Sequence, residues 1–111
     1  MVSAINRTNL LSPSEIRDHM RRALEWRFHD TSLIRQFSFK NFLQAIAFAN
    51  RVAQVAEAEA HHPDISISLN SVKVELTTRH AGGLTSKDFE IAAKVDRLVW
   101  FGDEEAVAAA S

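Results

Sequence analysis

The spacing of apolar residues divides this chain into seven elements. After a polar, mixed stretch over residues 1–11, Ile16, Met20, Ala23 and Leu24 recur at helical intervals and predict a first helix over residues 12–24. Its start is marked by Ser12-Pro13-Ser14-Glu15: Ser12 can cap, Pro13 suits the first helical position, and Glu15 stands three residues on, as in a capping box. Trp26 and Phe28 then alternate with Arg27 and His29, and residues 33–39 place Phe37 and Phe39 on one face. With Asp30-Thr31-Ser32 as the turn between them, the two runs predict a hairpin.

Residues 40–60 carry the longest helical stripe, made of Phe42, Ala45, Ile46, Ala49, Val52, Ala53 and Ala56, with no glycine or proline. This helix runs into His61-His62 and must stop by Pro63, because a residue before proline disfavours helical dihedrals. Residues 65–69 and 72–77 alternate about Asn70-Ser71 and predict a second hairpin. Ala81-Gly82-Gly83 reads as a flexible connection. Thr85 and Asp88 offer a capping box for a last helix whose apolar face is Phe89, Ile91, Ala92, Val95, Leu98 and Val99, ending at Gly102. The order helix, two strands, helix, two strands, helix predicts an α+β fold: one four-stranded antiparallel sheet with the helices packed on one face. The folded domain is expected over residues 12–102, between a flexible N-terminal arm (1–11) and a tail (103–111) that is acidic, then alanine-rich, and expected to fray.

Composition narrows the partners. At 111 residues the chain is one domain with a modest core, so self-association is a natural way to bury more surface. A formal net charge of −1 argues against a nucleic-acid-binding domain, and no apolar run is long enough to span a membrane. The first residues lack the apolar core of a secretion signal, and there is no cysteine for a disulfide framework or a thiolate metal site. A cytoplasmic location is the simplest reading.

The candidate chemistry lies in residues 57–63, Glu-Ala-Glu-Ala-His-His-Pro. Imidazole is the side chain whose ordinary pKa lets it give and take a proton near neutral pH. Two of them at a helix end suggest proton transfer, or a polar ligand held by ring nitrogens; the plain alternative is an exposed turn. Glu57 precedes His61 by four residues, which puts both on one helical face. A metal site from His61, His62 and His80 is possible by ligand type, but adjacent histidines rarely converge on one ion, and no metal is expected. Phe37, Phe39, Phe42 and Phe48 read as core, His29 as strand surface. Asp88 reads either as a site residue or simply as a cap for the last helix, and Arg79 as a ligand contact or a solvated strand end.

Taken together, Trp26, Phe37 and Phe39, Glu57 with His61-His62-Pro63-Asp64-Ile65, Asn70 and Val72, Leu76-Thr77-Thr78, Ala81-Gly82-Gly83-Leu84-Thr85 and Asp88-Phe89 resemble the pterin-4a-carbinolamine dehydratase family over roughly residues 12–100. The resemblance implies dehydration of 4a-hydroxytetrahydropterin to quinonoid dihydropterin in tetrahydrobiopterin recycling, downstream of an aromatic amino-acid hydroxylase, with no metal and no bound cofactor. It implies His61 and His62 as catalytic residues, His61 in acid/base work. Pro63, Thr78, Arg79 and His80 would contact the pterin, Glu57 would orient a histidine, and Asp88 would support the site from behind. It also implies a homodimer or homotetramer. Two positions depart from the family pattern. Arg79 stands where a third histidine is usual, and arginine does not lose its proton. His80, one residue later, would face away from Arg79 in a continuing strand, unless the chain bulges or has left the strand. Leu69 stands where an aromatic is usual. These departures imply weakened turnover or a strong preference for one isomer at C4a. They also keep open an alternative: a catalytically weak, dehydratase-like binding protein, such as an assembly factor or transcriptional cofactor.

Overall fold

In the computed structural model, which describes residues 9–102, the elements follow in the order α1 (Pro13–Met20), β1 (Arg27–His29), β2 (Ser32–Ser38), α2 (Phe42–Glu59), β3 (Asp64–Ser68), β4 (Ser71–Leu76) and α3 (Ser86–Gly102), with a 3-10 turn at Arg79–Ala81. The strands form one antiparallel sheet in the order β1-β2-β4-β3. The two hairpins therefore meet through their second strands, Leu33 opposite Leu76 and Phe37 opposite Val72. Leu33, Phe37, Val72, Val74 and Leu76 are all fully buried and share one face, as two-residue alternation requires. The helices cover that face, so the α+β architecture is the one the periodicity predicts. Among the described residues no helix is long and apolar enough to cross a membrane.

Aromatic rings knit the layers. Phe48 of α2 packs on Phe37 (centroids 4.6 Å apart) and on Phe39 (5.0 Å), and Trp26 meets Phe37 edge-on at 6.3 Å. Trp26 buries its ring and finds a partner for its N–H in Asp96 of α3, 2.9 Å away. Arg35 reaches the same carboxylate oxygen at 2.7 Å and lies over the Phe37 ring, tying sheet to helix. Burial raises the Asp96 carboxyl above its ordinary value, against the pull of these two donors. Ala45, Phe48, Ala49, Val52 and Ala56 are the buried stripe of α2.

Several boundaries differ from the sequence expectation, each for a local reason. The capping box of α1 forms, with Ser12 N–H donating to Glu15 Oε1 at 2.8 Å and Glu15 N–H to Ser12 Oγ at 3.2 Å. Yet the helix stops at Met20, Ala23 is buried through the following turn, and Leu24 is 81% exposed. Phe42, expected in the core, is 55% exposed: it is the first residue of α2, one step past the Asn41 cap, and Phe48 fills the stripe in its place. The second hairpin turns at Leu69-Asn70 rather than Asn70-Ser71, because Ser71 pairs with Ser68 and Leu69 takes a left-handed backbone (φ 54°). Asn70 instead ties the turn to the end of β2, its side-chain amide and its carbonyl both bonding the Phe39 backbone. The segment over residues 81–83 is a tight turn, not a flexible link: Gly82 is left-handed (φ 80°), and Thr78 and Gly83 exchange backbone hydrogen bonds. Leu10 bridges Thr85 and Leu11 packs against the core, so ordered structure reaches into the stretch read as an arm. The remainder of that arm and the tail lie outside the described residues.

The end of α2 decides the site. Ala60 adopts a left-handed conformation (φ 52°), with its N–H bonding back to Glu57 O and the His61 N–H to Ala56 O, the paired closure of a Schellman motif. An alanine there bears a steric cost that glycine lacks. Ala60→Gly is therefore expected to raise the unfolding free energy by roughly 0.5–1 kcal/mol. Urea denaturation would register this as a higher midpoint at unchanged slope; a lower midpoint would mean that Ala60 does not bear that strain.

Candidate active site

The left-handed turn at Ala60 sends two neighbouring imidazoles in different directions. His61 folds inward, its side chain 10% exposed, and its Nε2 lies 2.7 Å from Asp88 Oδ1. His62 stays outside, 60% exposed, with Nε2 2.6 Å from Glu57 Oε2. The sequence expectation that Glu57 and His61 share a helical face is thus corrected. The helix ends at Glu59, His61 is no longer in helical register, and the partner of Glu57 is His62. That pair is exposed and contributes at most about 1 kcal/mol, so its use is to aim a ring rather than to hold the fold.

Asp88 is fully buried and holds three donors, so it is more than a helix cap. Oδ2 accepts from the Thr78 hydroxyl at 2.7 Å and from the Thr85 N–H at 2.9 Å, leaving Oδ1 for His61. Because Thr78 spends its single hydroxyl proton on Asp88, the 2.9 Å contact between Thr78 and Thr85 must run from the Thr85 hydroxyl to Thr78 Oγ1. Facing a carboxylate, His61 Nε2 carries a proton, and Nδ1 is the nitrogen left free for chemistry. Asp88 thus fixes both the orientation and the tautomer of His61.

Two neighbouring hollows share His61 on their borders. The smaller, about 170 Å³, is bordered by Ala60, His61, His62, Thr77, Thr78, Arg79 and His80. The larger, about 330 Å³, shares Ala60, His61, Thr78 and His80 and adds Asn9, Glu59, Thr85, Ser86 and Lys87. Arg79 and His80 border the same hollow because the chain has left the strand: β4 ends at Leu76 and residues 79–81 form the 3-10 turn. Arg79 is drawn to Asp64, 2.7 Å away and outside both hollows, in an exposed ion pair. Pro63 is half-buried and makes the bend between the histidines and β3, but it borders neither hollow. Among the described residues, no three His, Cys, Asp or Glu side chains converge in a metal-holding group.

Sequence reasoning brought Glu57, His61, His62, Thr78, Arg79, His80 and Asp88 to this region and missed Glu59 and Lys87. Glu59, in the last turn of α2, accepts from Lys87 at 2.6 Å and from Lys94, both of α3. A carboxylate at a helix end, with two lysines seven apart on a later helix, is a pattern of three unremarkable surface charges until the helices pack. The two ammoniums hold the Glu59 carboxyl well below the usual 4.5, at about 2. A carboxyl lowered on folding stabilises the native state above its unfolded pKa and loses that contribution as pH falls through the folded one. The stability advantage of wild type over Glu59→Gln should accordingly be full above about pH 5 and shrink between 4.5 and 2. Urea midpoints across that range check it, and a difference independent of pH would refute the pairing. For Asp88→Asn, the amide oxygen can keep Thr78 and Thr85, but its NH₂ then faces His61 Nε2 and forces the ring into the other tautomer, and a loss of about 1–3 kcal/mol is expected. A change within 0.5 kcal/mol, roughly the scale of an ordinary surface substitution, would mean that the three-donor network is not what holds this corner.

The sequence and the fold both have known relatives. The sequence profile of the family described as pterin 4 alpha carbinolamine dehydratase matches residues 9–98. A protein of Picosynechococcus sp. is 49% identical over 88 residues, 79% of this chain and 96% of that one. A protein of Nostoc sp. is 46% identical over 89 residues, 80% of this chain and 96% of that one. Both carry the name pterin-4-alpha-carbinolamine dehydratase as a provisional assignment. Among solved structures, a transcriptional coactivator/pterin dehydratase from Brucella melitensis superposes with a TM-score of 0.77 at 33% identity, covering 81% of this chain and 98% of its own. A pterin dehydratase-like protein identified as a RuBisCO assembly factor in the alpha-carboxysome gives 0.54 at 26% identity, covering 66% and 84%.

Proposed function

The chain belongs to the pterin 4 alpha carbinolamine dehydratase family, and from that premise we propose that it dehydrates 4a-hydroxytetrahydropterin with His61 as the proton-transfer residue. The observation that carries this reading is the buried Asp88–His61 pair, with His61 on the border of both hollows. In the reaction the C4a–O and N5–H bonds break, a C4a=N5 bond forms, and water leaves. One proton must reach the departing hydroxyl and one must leave N5. A single imidazole nitrogen, with a carboxylate holding the proton on the other one, can collect the proton from N5 and then deliver it to the departing hydroxyl, which leaves as water. His62, aimed by Glu57 at the mouth of the smaller hollow, is placed to share the work. Thr78 serves by holding Asp88, while Arg79 and His80 border the ring, where a guanidinium can donate to a pterin oxygen but cannot act as a base. The pterin is the substrate, and the reaction draws on no metal or bound cofactor. The cytoplasmic, homo-oligomeric and hydroxylase-linked setting implied by the family fits this activity.

A second reading is favoured by one contact: Arg79, at the position where a histidine is usual, is turned toward Asp64. A dehydratase scaffold used for assembly or regulation, as the names of the two structural relatives describe for those proteins, would tolerate that loss.

Dehydration of freshly generated 4a-hydroxytetrahydropterin separates the two. If the enzyme reading holds, wild type exceeds the uncatalysed rate, His61→Ala loses about 10²–10⁴-fold, and Arg79→His raises turnover or widens acceptance of the two C4a isomers. Wild type at the uncatalysed rate, with activity appearing in Arg79→His, would establish the binding role instead.

A further inference from the structure

The larger hollow is bordered by groups that suit an anion. Its rim carries donors with protons to spare, Lys87, His80, Ser86 and Asn9, while the Thr78 and Thr85 hydroxyl protons are already spent on Asp88 and on Thr78. Its one bordering carboxylate, Glu59, has each oxygen occupied by a lysine ammonium, one from Lys87 and one from Lys94. Lys94, which does not itself border the hollow, answers the second Glu59 oxygen, so the negative charge of Glu59 is shared between two ammoniums and does not cancel that of Lys87 alone. Glu90 acts on Lys87 more weakly than Glu59 does and borders a different cavity, on the far side of Ser86. Asp88 lies behind Thr78 and Thr85, closed from the hollow by its three donors. A group that only accepts hydrogen bonds and carries negative charge, a phosphate or a carboxylate, matches such a rim.

The chemistry of the substrate places a group there. In a pterin, C6 is bonded to N5, and N5 to C4a, so any substituent at C6 leaves the ring beside the reacting edge. With that edge at His61 and the ring in the smaller hollow beside His62, Thr77 and Arg79, the C6 substituent enters the larger one. Resting on the pterin reading above, we propose that this protein prefers pterins whose C6 side chain ends in an anionic group, and that Lys87 is the residue that selects them. Lys87 needs no rearrangement to do so, since an ammonium has three donors and Glu59 takes one at 2.6 Å.

Equilibrium binding of three stable fluorescent probes tests this without depending on turnover: 6-hydroxymethylpterin, its phosphate monoester, and 6-carboxypterin. The phosphate ester is expected to bind wild type roughly tenfold tighter than the parent alcohol, an advantage that falls with added salt. Lys87→Gln should erase the advantage and Arg79→Gln should keep it. A preference for 6-carboxypterin as well would identify a general anion subsite; a preference for the ester alone would identify a phosphate subsite. Equal affinity for ester and alcohol in wild type overturns the inference and leaves the pterin site standing. Loss of the preference in Arg79→Gln but not in Lys87→Gln overturns the assignment to Lys87. No binding of any probe sinks both the inference and the pterin reading on which it rests.

Discussion

The site depends on one buried carboxylate. Asp88 has no exposed surface, and taking an ionised carboxyl out of water costs several kcal/mol unless every lone pair it turns inward is answered. The answers come from three separate segments: the Thr78 hydroxyl just past β4, the Thr85 N–H at the entry to α3, and the ring of His61 after α2. The sheet, the tight turn over residues 79–83 and the α2–α3 contact are each needed to bring one of those donors into range. A fault in any of them leaves a buried charge short of a partner, which links the integrity of the fold to the aim of a single imidazole.

The second constraint is the left-handed residue at Ala60. Had α2 continued, His61 would have sat one turn above Glu57 on an exposed face, and the two histidines would have pointed about 100° apart around a helix axis. By closing the helix one residue earlier, the Ala60 turn drops His61 into the cleft beside Asp88 and leaves His62 at the rim with Glu57. Two adjacent residues of the same type thereby acquire different environments, one enclosed and backed by a carboxylate, the other solvated and only loosely aimed. That asymmetry, rather than the presence of two histidines, gives the cleft a defined chemistry.

The fold was legible because its information is periodic. Alternation over β2 and β4 and the 3.6-residue stripes of α2 and α3 report which faces are buried, and the buried residues Phe37, Val72, Val74, Ile91 and Val95 fall where alternation and helical spacing put them. The site was legible only as a set of residue types. Which carboxylate meets which histidine turns on the backbone at Ala60, and alanine carries no signal for a left-handed cap in the way glycine does. The Leu69-Asn70 turn was hidden for the same reason, because Leu69 is an unexpected residue at positive φ. Phe42 misled because a stripe read by spacing alone does not show where the helix begins relative to the core. The Trp26–Asp96–Arg35 contact was invisible in sequence, since its members are separated by 61 and 70 positions.

Position 79, where the family resemblance implies a histidine, can be weighed in the same terms. Arg79 takes no part in the Asp88 network: its partner is Asp64, both side chains are more than half exposed, and such a pair contributes little to stability. Nothing buried changes when residue 79 changes, so the scaffold places no restraint on its chemistry. His61 is in the opposite case, because removing its ring would leave Asp88 Oδ1 without a donor in a closed site. Drift in this fold is therefore cheap at the rim and costly at the centre. His61 and Asp88 are the part that the structure itself protects, so their presence alone does not distinguish selection for catalysis from selection for a stable fold. Stability requires only that Nε2 meet Asp88, and it leaves the rest of the ring free to border a cavity; that His61 borders two hollows, one of them shared with exposed His80 and Arg79, is a feature the fold's stability does not by itself require.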